Sequence, residues 1–215
     1  MLLCRLFKWP IGMAVRPAEA KAVRPAKLLH ETAPNDFHAM KWDYSFQRSH
    51  AAAQEILAQY ASRDPERLYK PLGLSLYTCP DFQDLKGMYV WVEDRPCVFI
   101  KADLPRSHRD LILAHELGHH LLHQDLLAGL KILQDHSFMD MASQPEIEAN
   151  LFAADLLIPD QDFLDLAEAG SSLDQLAVFF GQPVGLVQAK ASLLHWQGIP
   201  LRLPERAAAD FLLRV

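Results

Sequence analysis

The sequence of 215 residues contains little cysteine and no pair of cysteines at CxxC spacing. Its three cysteines, Cys4, Cys79 and Cys97, are an odd number, which argues against a disulfide framework and against a cysteine zinc knuckle. Few and unpaired cysteines are typical of proteins from a reducing compartment. We therefore expect a cytoplasmic protein.

Long apolar runs are also missing. No stretch approaches the roughly 18–20 apolar residues that a membrane-spanning helix needs, so the sequence predicts no contact with a membrane. The first residues are apolar in part, but Arg5, Lys8 and Pro10 interrupt the continuous apolar stretch that an export signal requires. Secretion is therefore not expected.

Positive charge is scarce as well. The sequence contains 21 Lys and Arg residues and 27 Asp and Glu residues, which gives a formal net charge of −6. The broad basic surface of a nucleic-acid-binding protein is missing, so direct nucleic-acid binding is not expected. Half of the residues are apolar and 22% are charged, which is typical of a globular domain and excludes a disordered chain or a coiled coil.

The pattern along the chain predicts three regions. Residues 1–43 contain four prolines and no sustained periodicity, so we expect a poorly ordered or loosely docked leader. Residues 44–160 form the predicted main domain. Residues 161–215 form a predicted C-terminal helical accessory region with the outline of a helix-turn-helix. Lys190 is the one Lys or Arg on its second helix, so this region is expected to pack or to bind a partner rather than DNA.

Within the main domain, strand-like segments precede the helices. Residues 88–92 and 97–100 are rich in β-formers and flank a segment ending at Pro96, which predicts a hairpin with its turn at that proline. Asp64 and Pro65 are predicted to start a short helix, and Ser107 is predicted to cap a helix over residues 108–123. The fold class is therefore α+β, a small antiparallel sheet on a mainly helical body.

The strongest chemical signal is the HExxH motif over residues 115–119. Histidines four apart on a helix lie on one face, so His115 and His119 can bind a single zinc ion. Glu116 is the predicted general base, acting on water. The surrounding helix is mostly apolar, and burying these three polar side chains would be costly unless something such as a metal satisfied them.

A catalytic zinc site also needs a third protein ligand. A histidine further along the same helix, in the pattern HExxHxxGxxH, is disfavoured because Leu122 replaces the glycine and Asp125 replaces the last histidine. A glutamate from the next predicted helix is the other source.

That helix offers two glutamates. Glu146 shares a face with Asn150, which would then be placed to orient a ligand histidine. Glu148 points elsewhere, and its partner at the same spacing is Phe152, which cannot orient an imidazole. We favour Glu146 as the third ligand and keep Glu148 as the alternative.

Other polar residues near the motif are less informative. His123 lies one helical turn beyond His119, about 6 Å past the expected zinc position, so we predict that it lines the cleft. His120 points away from the ligand face. Tyr89 and His136 are candidates for contact with a reacting carbonyl, but nothing in the sequence selects either, and the oxyanion-stabilising group stays unassigned.

Two segments together resemble the ImmA/IrrE family of metallopeptidases. They are HELGHHLLH at residues 115–123 and EIEANLFAADLLIP at residues 146–159, and the likeness extends over about residues 45–195. The resemblance implies a zincin-like, gluzincin-type zinc endopeptidase with one Zn²⁺ held by His115, His119 and Glu146 and with Glu116 as the catalytic glutamate. It also supports Glu146 over Glu148.

The resemblance further implies a protein substrate, a helix-turn-helix repressor of a mobile element or a stress regulon, which the enzyme would inactivate by cleavage. Two other functions remain open at this point. One is a regulatory protein that binds its partner on a zincin fold without cleaving it. The other is the toxin component of a two-gene module.

Overall fold

A computed structural model describes residues 37–92, 95–124, 132–135, 143–201 and 203. Most of the predicted leader, the end of the predicted accessory region, and the side chains of Asp125 and His136 lie outside the described residues. Among the described residues, no helix is both long and apolar enough to cross a membrane.

The described chain contains seven helices and four strands. In chain order they are α1 (Phe37–Tyr60), α2 (Pro65–Tyr69), β1 (Ser75–Cys79), β2 (Gly87–Val92), β3 (Arg95–Lys101), α3 (Arg106–Leu122), β4 (Ile132–Asp135), α4 (Gln144–Leu157), α5 (Asp160–Glu168), α6 (Leu173–Phe180) and α7 (Val184–Trp196). The prediction of a mainly helical body with a small sheet is confirmed.

The sheet has the strand order β1-β3-β2-β4 and is mixed rather than antiparallel. The predicted hairpin is present, because β2 and β3 pair antiparallel, and β4 pairs antiparallel with β2. β1, however, runs parallel to β3. Because β2 pairs with one edge of β3, the other edge of β3 is available to β1. The residue pattern of a short strand does not indicate which strand it pairs with or in which direction it runs.

The start of β3 differs from the prediction. Pro96 lies within the strand, opposite Trp91 of β2, and is not in the turn. A proline is tolerated near the first residue of a strand, where its missing N–H interrupts few ladder bonds. The prediction of a turn at Pro96 is therefore wrong, and the strands are joined through residues 93–94, which lie outside the described part of the chain.

Of the two helix caps predicted from the sequence, one is present in the structure and the other is not. Asp64 caps α2 as predicted, because its Oδ1 accepts a hydrogen bond from the backbone N–H of Glu66 at 3.1 Å. Ser107 does not cap α3, which begins one residue earlier, at Arg106. Pro105 holds the N-cap position, and its carbonyl accepts from the N–H of Arg109 at 2.9 Å.

Helix α3 runs through the centre of the fold. Every residue from Leu111 to His120 is buried. One hydrophobic core joins α1, the sheet, α3, α4 and the C-terminal helices, and includes Ile56, Val98, Leu113, Phe152 and Leu193. Burial on all sides explains why the motif helix is apolar around its polar residues.

The C-terminal part of the described chain contains α6 and α7, which are separated by three residues. Ser172 and Gln175 form a reciprocal capping box at the start of α6, which ends at Gly181 in the left-handed conformation with φ of 61°. Lys190 on α7 is fully buried and contacts Asp155 at 2.5 Å. Its ammonium group is therefore not available at the surface to a phosphate backbone.

Candidate metal centre

Three side chains from two helices converge at the centre of the molecule. His115 and His119 lie one turn apart on α3, and their Nε2 atoms are 3.0 Å apart. Glu146, in the first turn of α4, approaches both, with its Oε2 at 3.2 Å from Nε2 of His115 and its Oε1 at 3.4 Å from Nε2 of His119. One ligand atom from each residue lies within 4.8 Å of the other two.

The chemistry of these atoms fits a divalent metal ion. Burial is the main reason that the pKa of His119 falls to about 4, and this leaves a neutral imidazole with a free lone pair at neutral pH. Burial raises the pKa of the Glu146 carboxyl, but contacts with the two histidines outweigh it and hold that pKa below its ordinary value. Two imidazoles and one carboxylate are the donor set of many catalytic zinc sites.

Asn150 holds the first histidine from behind. Its Oδ1 lies 2.9 Å from Nδ1 of His115, and its side chain is fully buried. An amide oxygen accepts hydrogen bonds, so Asn150 favours the tautomer of His115 that has its proton on Nδ1 and leaves the lone pair of Nε2 for a metal ion. Asn150 lies one turn beyond Glu146, which is the spacing that the sequence indicates for a residue orienting a ligand.

Glu116 lies between the two histidines in sequence and is 2% exposed. Its carboxylate occupies space that a side chain on β2 would otherwise fill. A Cβ added at Gly87 would lie 2.9 Å from Oε1 of Glu116 and 2.5 Å from Cγ2 of Ile112. Gly87 therefore makes room for the carboxylate beside the sheet.

His123 lies in a different environment from the one predicted. It is 3% exposed and sits behind His119, with its Nδ1 at 3.1 Å from Nδ1 of that residue, so it does not line an open cleft. Its Nε2 lies 3.1 Å from Oε2 of Glu148. The spacing of four residues between His119 and His123 was the available sequence signal, because such residues are neighbours on a helix.

Glu148, the alternative ligand, does not join the cluster of three. It faces α1, where Arg48 approaches its Oε2 at 2.8 Å and Ser45 approaches its Oε1 at 3.0 Å. These two partners belong to a helix about one hundred residues earlier in the chain, so no local sequence pattern indicates them.

Tyr89, a candidate for contact with a reacting carbonyl, contacts His120. The hydroxyl of Tyr89 lies 3.1 Å from Nδ1 of His120, and both side chains are buried. Burial lowers the pKa of His120 to about 4 and raises that of Tyr89. His120 is therefore a neutral, buried partner of Tyr89. His136 lies outside the described residues, and the oxyanion-stabilising group stays unassigned.

Comparisons with known proteins agree with this geometry. Residues 74–192 match the family model of the IrrE N-terminal-like domain, Peptidase_M78, which is more than half of the chain and includes α3 and α4. The chain is also 26% identical over 140 residues to a protein of Bacillus phage phi105 described as "Uncharacterized immunity region protein 2", an alignment that covers 65% of this chain and 87% of that protein. The family model, which spans both ligand-bearing helices, shows that this chain belongs to the Peptidase_M78 family of metallopeptidases.

Proposed function

We propose that this protein is a zinc-dependent endopeptidase that hydrolyses a peptide bond within a protein substrate. The observation that carries the proposal is the convergence of His115, His119 and Glu146, with one ligand atom from each within 4.8 Å of the others. This donor set leaves a coordination position for water or substrate, as a catalytic zinc site requires and a structural site does not.

The chain's own residues have distinct tasks in this reaction. His115, His119 and Glu146 would hold the ion, which when bound supplies Lewis-acid polarisation of the scissile carbonyl and of water. Glu116 accepts a proton from the attacking water and then donates it to the leaving amine, so that the carboxylate is regenerated after each turnover. Gly87 leaves the space in which the carboxylate of Glu116 lies.

We further propose that the substrate is a helix-turn-helix repressor of a mobile element or a stress regulon, cleaved in the cytoplasm. Two observations support this choice. The motif segments resemble the ImmA/IrrE family, whose members usually cut such repressors. A relative that aligns over 87% of its own length bears the name of an immunity region protein and comes from a phage.

The test uses a helix-turn-helix repressor encoded next to the gene in a genome where such a neighbour is found. The purified repressor is incubated with the zinc-loaded enzyme, with the enzyme in excess EDTA, and with the EDTA-treated enzyme after zinc is restored. Intact-mass spectrometry should show two repressor fragments whose masses sum to the repressor plus one water. The fragments should disappear with EDTA and return with zinc.

Two outcomes would contradict the proposal. A stable complex without fragments would identify a regulatory protein that binds its partner without cleaving it. Fragments that persist in EDTA would show that the cleavage does not depend on the metal centre.

A further inference from the structure

Two buried side chains, His123 and Glu148, and the partly exposed Arg48 link the metal centre to α1 and have no task in the proposed reaction. Nδ1 of His119 contacts Nδ1 of His123 at 3.1 Å, and Nε2 of His123 contacts Oε2 of Glu148 at 3.1 Å. Arg48 approaches the same oxygen of Glu148 at 2.8 Å. The contacts form one continuous line from a ligand histidine to the first helix.

The chemistry of this line fixes where the protons lie. An ionised carboxylate only accepts hydrogen bonds, so Nε2 of His123 must donate to Glu148. A neutral imidazole that donates through Nε2 accepts through Nδ1, so Nδ1 of His119 must donate to His123. His119 then has a lone pair on Nε2, the nitrogen that faces Glu146.

We propose that His123 and Glu148 are positioning residues that impose on His119 the tautomer and ring orientation needed to bind zinc through Nε2. The inference rests on the proposed metal site. Two residues in series, His123 and then Glu148, orient His119. A single residue, Asn150, contacts His115 directly.

Hydrogen bonds from several side chains fix the carboxylate of Glu148 in the position from which it contacts His123. Its Oε1 accepts hydrogen bonds from Ser45 at 3.0 Å and from Gln144 at 2.7 Å. Burial raises the pKa of its carboxyl, but hydrogen bonds from His123 and Gln144 and the charge of Arg48 outweigh it and keep the pKa below its ordinary value. Every oxygen of this buried carboxylate therefore has at least two donors.

The support also joins α1 to the end of the motif helix. Arg48 donates a second hydrogen bond to the carbonyl of Leu122, the last residue of α3, and Ser49 donates to the carbonyl of Glu148 at 3.0 Å. Helix α1 lies before the segment that matches the family model, which starts at residue 74. The orientation of a ligand histidine thus depends on a helix outside the matched domain.

The test measures zinc affinity by competition with a chromophoric chelator, together with thermal unfolding of each metal-free variant. His123→Phe keeps a ring of similar size but removes the acceptor for His119. We expect its zinc dissociation constant to rise about 10–100-fold, as is typical when an orienting partner of a ligand is lost. His123→Asn places an amide oxygen where Nδ1 lies, so it should remain within about threefold of the wild type.

His120→Phe is the matched control. His120 is also a buried histidine of α3, but it contacts Tyr89 and Gln124 rather than the cluster of three. This variant should leave the zinc dissociation constant unchanged even where it lowers the unfolding temperature.

The outcomes distinguish a His123 that orients His119 from a His123 that only fills space in the core. Wild-type affinity in a folded His123→Phe protein would overturn the proposal, and so would equal losses in the Phe and Asn variants. A second measurement does not depend on any variant: ring ¹⁵N chemical shifts of the zinc-loaded wild type should show His123 with its proton on Nε2. A proton on its Nδ1 would overturn the proposal.

This test is also distinct from that of the proposed function. A wild-type protein that binds no zinc would contradict the metal site itself. Unchanged zinc affinity in His123→Phe would contradict only the positioning role.

Discussion

Gly118 on α3 faces the backbone of Ala149 on α4 at a distance that would be tighter than most contacts of a side chain. A Cβ added at Gly118 would lie 3.0 Å from Cα and 3.2 Å from the carbonyl oxygen of Ala149. Ala149 lies between Glu146 and Asn150 in the sequence, and both of these side chains contact His115. The close approach of the two helices therefore determines whether α4 can complete the metal centre.

Gly118→Ala should weaken zinc binding and lower the free energy of unfolding. Alanine favours a helix over glycine by about 1 kcal/mol. Overpacking of a close contact costs about 1–3 kcal/mol, and here two of the atoms that must give way belong to the backbone of α4. We expect a net loss of about 1 kcal/mol in urea unfolding and a severalfold higher zinc dissociation constant. A more stable variant with unchanged zinc affinity would show that the helices can separate without effect.

Gly87→Ala should act on catalysis and not on the metal. The added methyl group would lie 2.9 Å from Oε1 of Glu116 and 2.5 Å from Cγ2 of Ile112, so the glutamate must move. A displacement of about 1 Å at a reacting group can cost about 10²-fold in rate. We expect such a loss in the initial rate of repressor cleavage, with a zinc dissociation constant equal to that of the wild type.

The two glycine variants serve as controls for each other. Gly118 lies against α4, which carries Glu146, whereas Gly87 lies against Glu116, the proposed general base. If both variants reduced zinc affinity to the same extent, the separate roles of these two contacts would be wrong.

Glu116→Gln should bind zinc like the wild type and should not cleave the repressor. The amide has nearly the shape of the carboxylate but cannot accept and return a proton, and general acid–base catalysis contributes about 10²–10⁴-fold. Single-turnover cleavage followed by intact mass is the measurement, with zinc content determined on the same sample. Glu55→Gln, on the exposed side of α1, is the matched control and should keep full activity. A Glu116→Gln protein that still cleaves would remove Glu116 from the mechanism.

Local spacing in the sequence predicted which side chains share a helix face in the candidate site, and the family resemblance supported Glu146 over Glu148 as the third ligand. His115 and His119 share a helix face by their spacing, and the same argument joins Glu146 to Asn150 on the next helix. The structure brings these four side chains together. Each of the two pairs lies on one helix, so the helical period alone places its two members on the same face. Only the packing of α3 on α4 had to be supplied by the fold.

The spacing places His123 beside His119, but the sequence could not predict the role of Glu148, because two of its partners, Ser45 and Arg48, are distant in the chain. Arg48 lies 100 residues before Glu148, and the contact exists only because α1 packs on α4. The parallel pairing of β1 with β3 has the same origin, since strand neighbours are chosen by the whole fold. Pro105 replaced Ser107 as the cap of α3 because an extended proline carbonyl can accept the first helical hydrogen bond.

A second buried network connects α1, α4 and α7 away from the metal centre. Asp155 is fully buried and contacts Lys190 at 2.5 Å, His50 at 2.7 Å and Gln54 at 3.1 Å. Burial raises the pKa of Asp155, but the contacts with His50 and Lys190 outweigh it and lower the pKa from 3.8 to about 2. The carboxylate is therefore more stable in the folded protein than in the unfolded chain.

The stability from Asp155 should be lost in acid. In the unfolded chain this carboxyl takes up a proton near its ordinary pKa of about 3.9, whereas the folded protein resists protonation until about pH 2. The unfolded state thus binds more protons between these values, and the contribution, about 2 kcal/mol, is complete above pH 5 and disappears toward pH 2.

Urea unfolding of the metal-free wild type and of Asp155→Asn, measured from pH 6 down to pH 2.5, reports on Asp155 and its direct partners, because acid-sensitive groups without contact to Asp155 affect both proteins equally. The wild type should be the more stable protein at pH 6, and the difference in free energy of unfolding should narrow by about 2 kcal/mol as the pH falls. A difference that stays constant over this range would show that the pKa of Asp155 is not lowered by its contacts with Lys190 and His50.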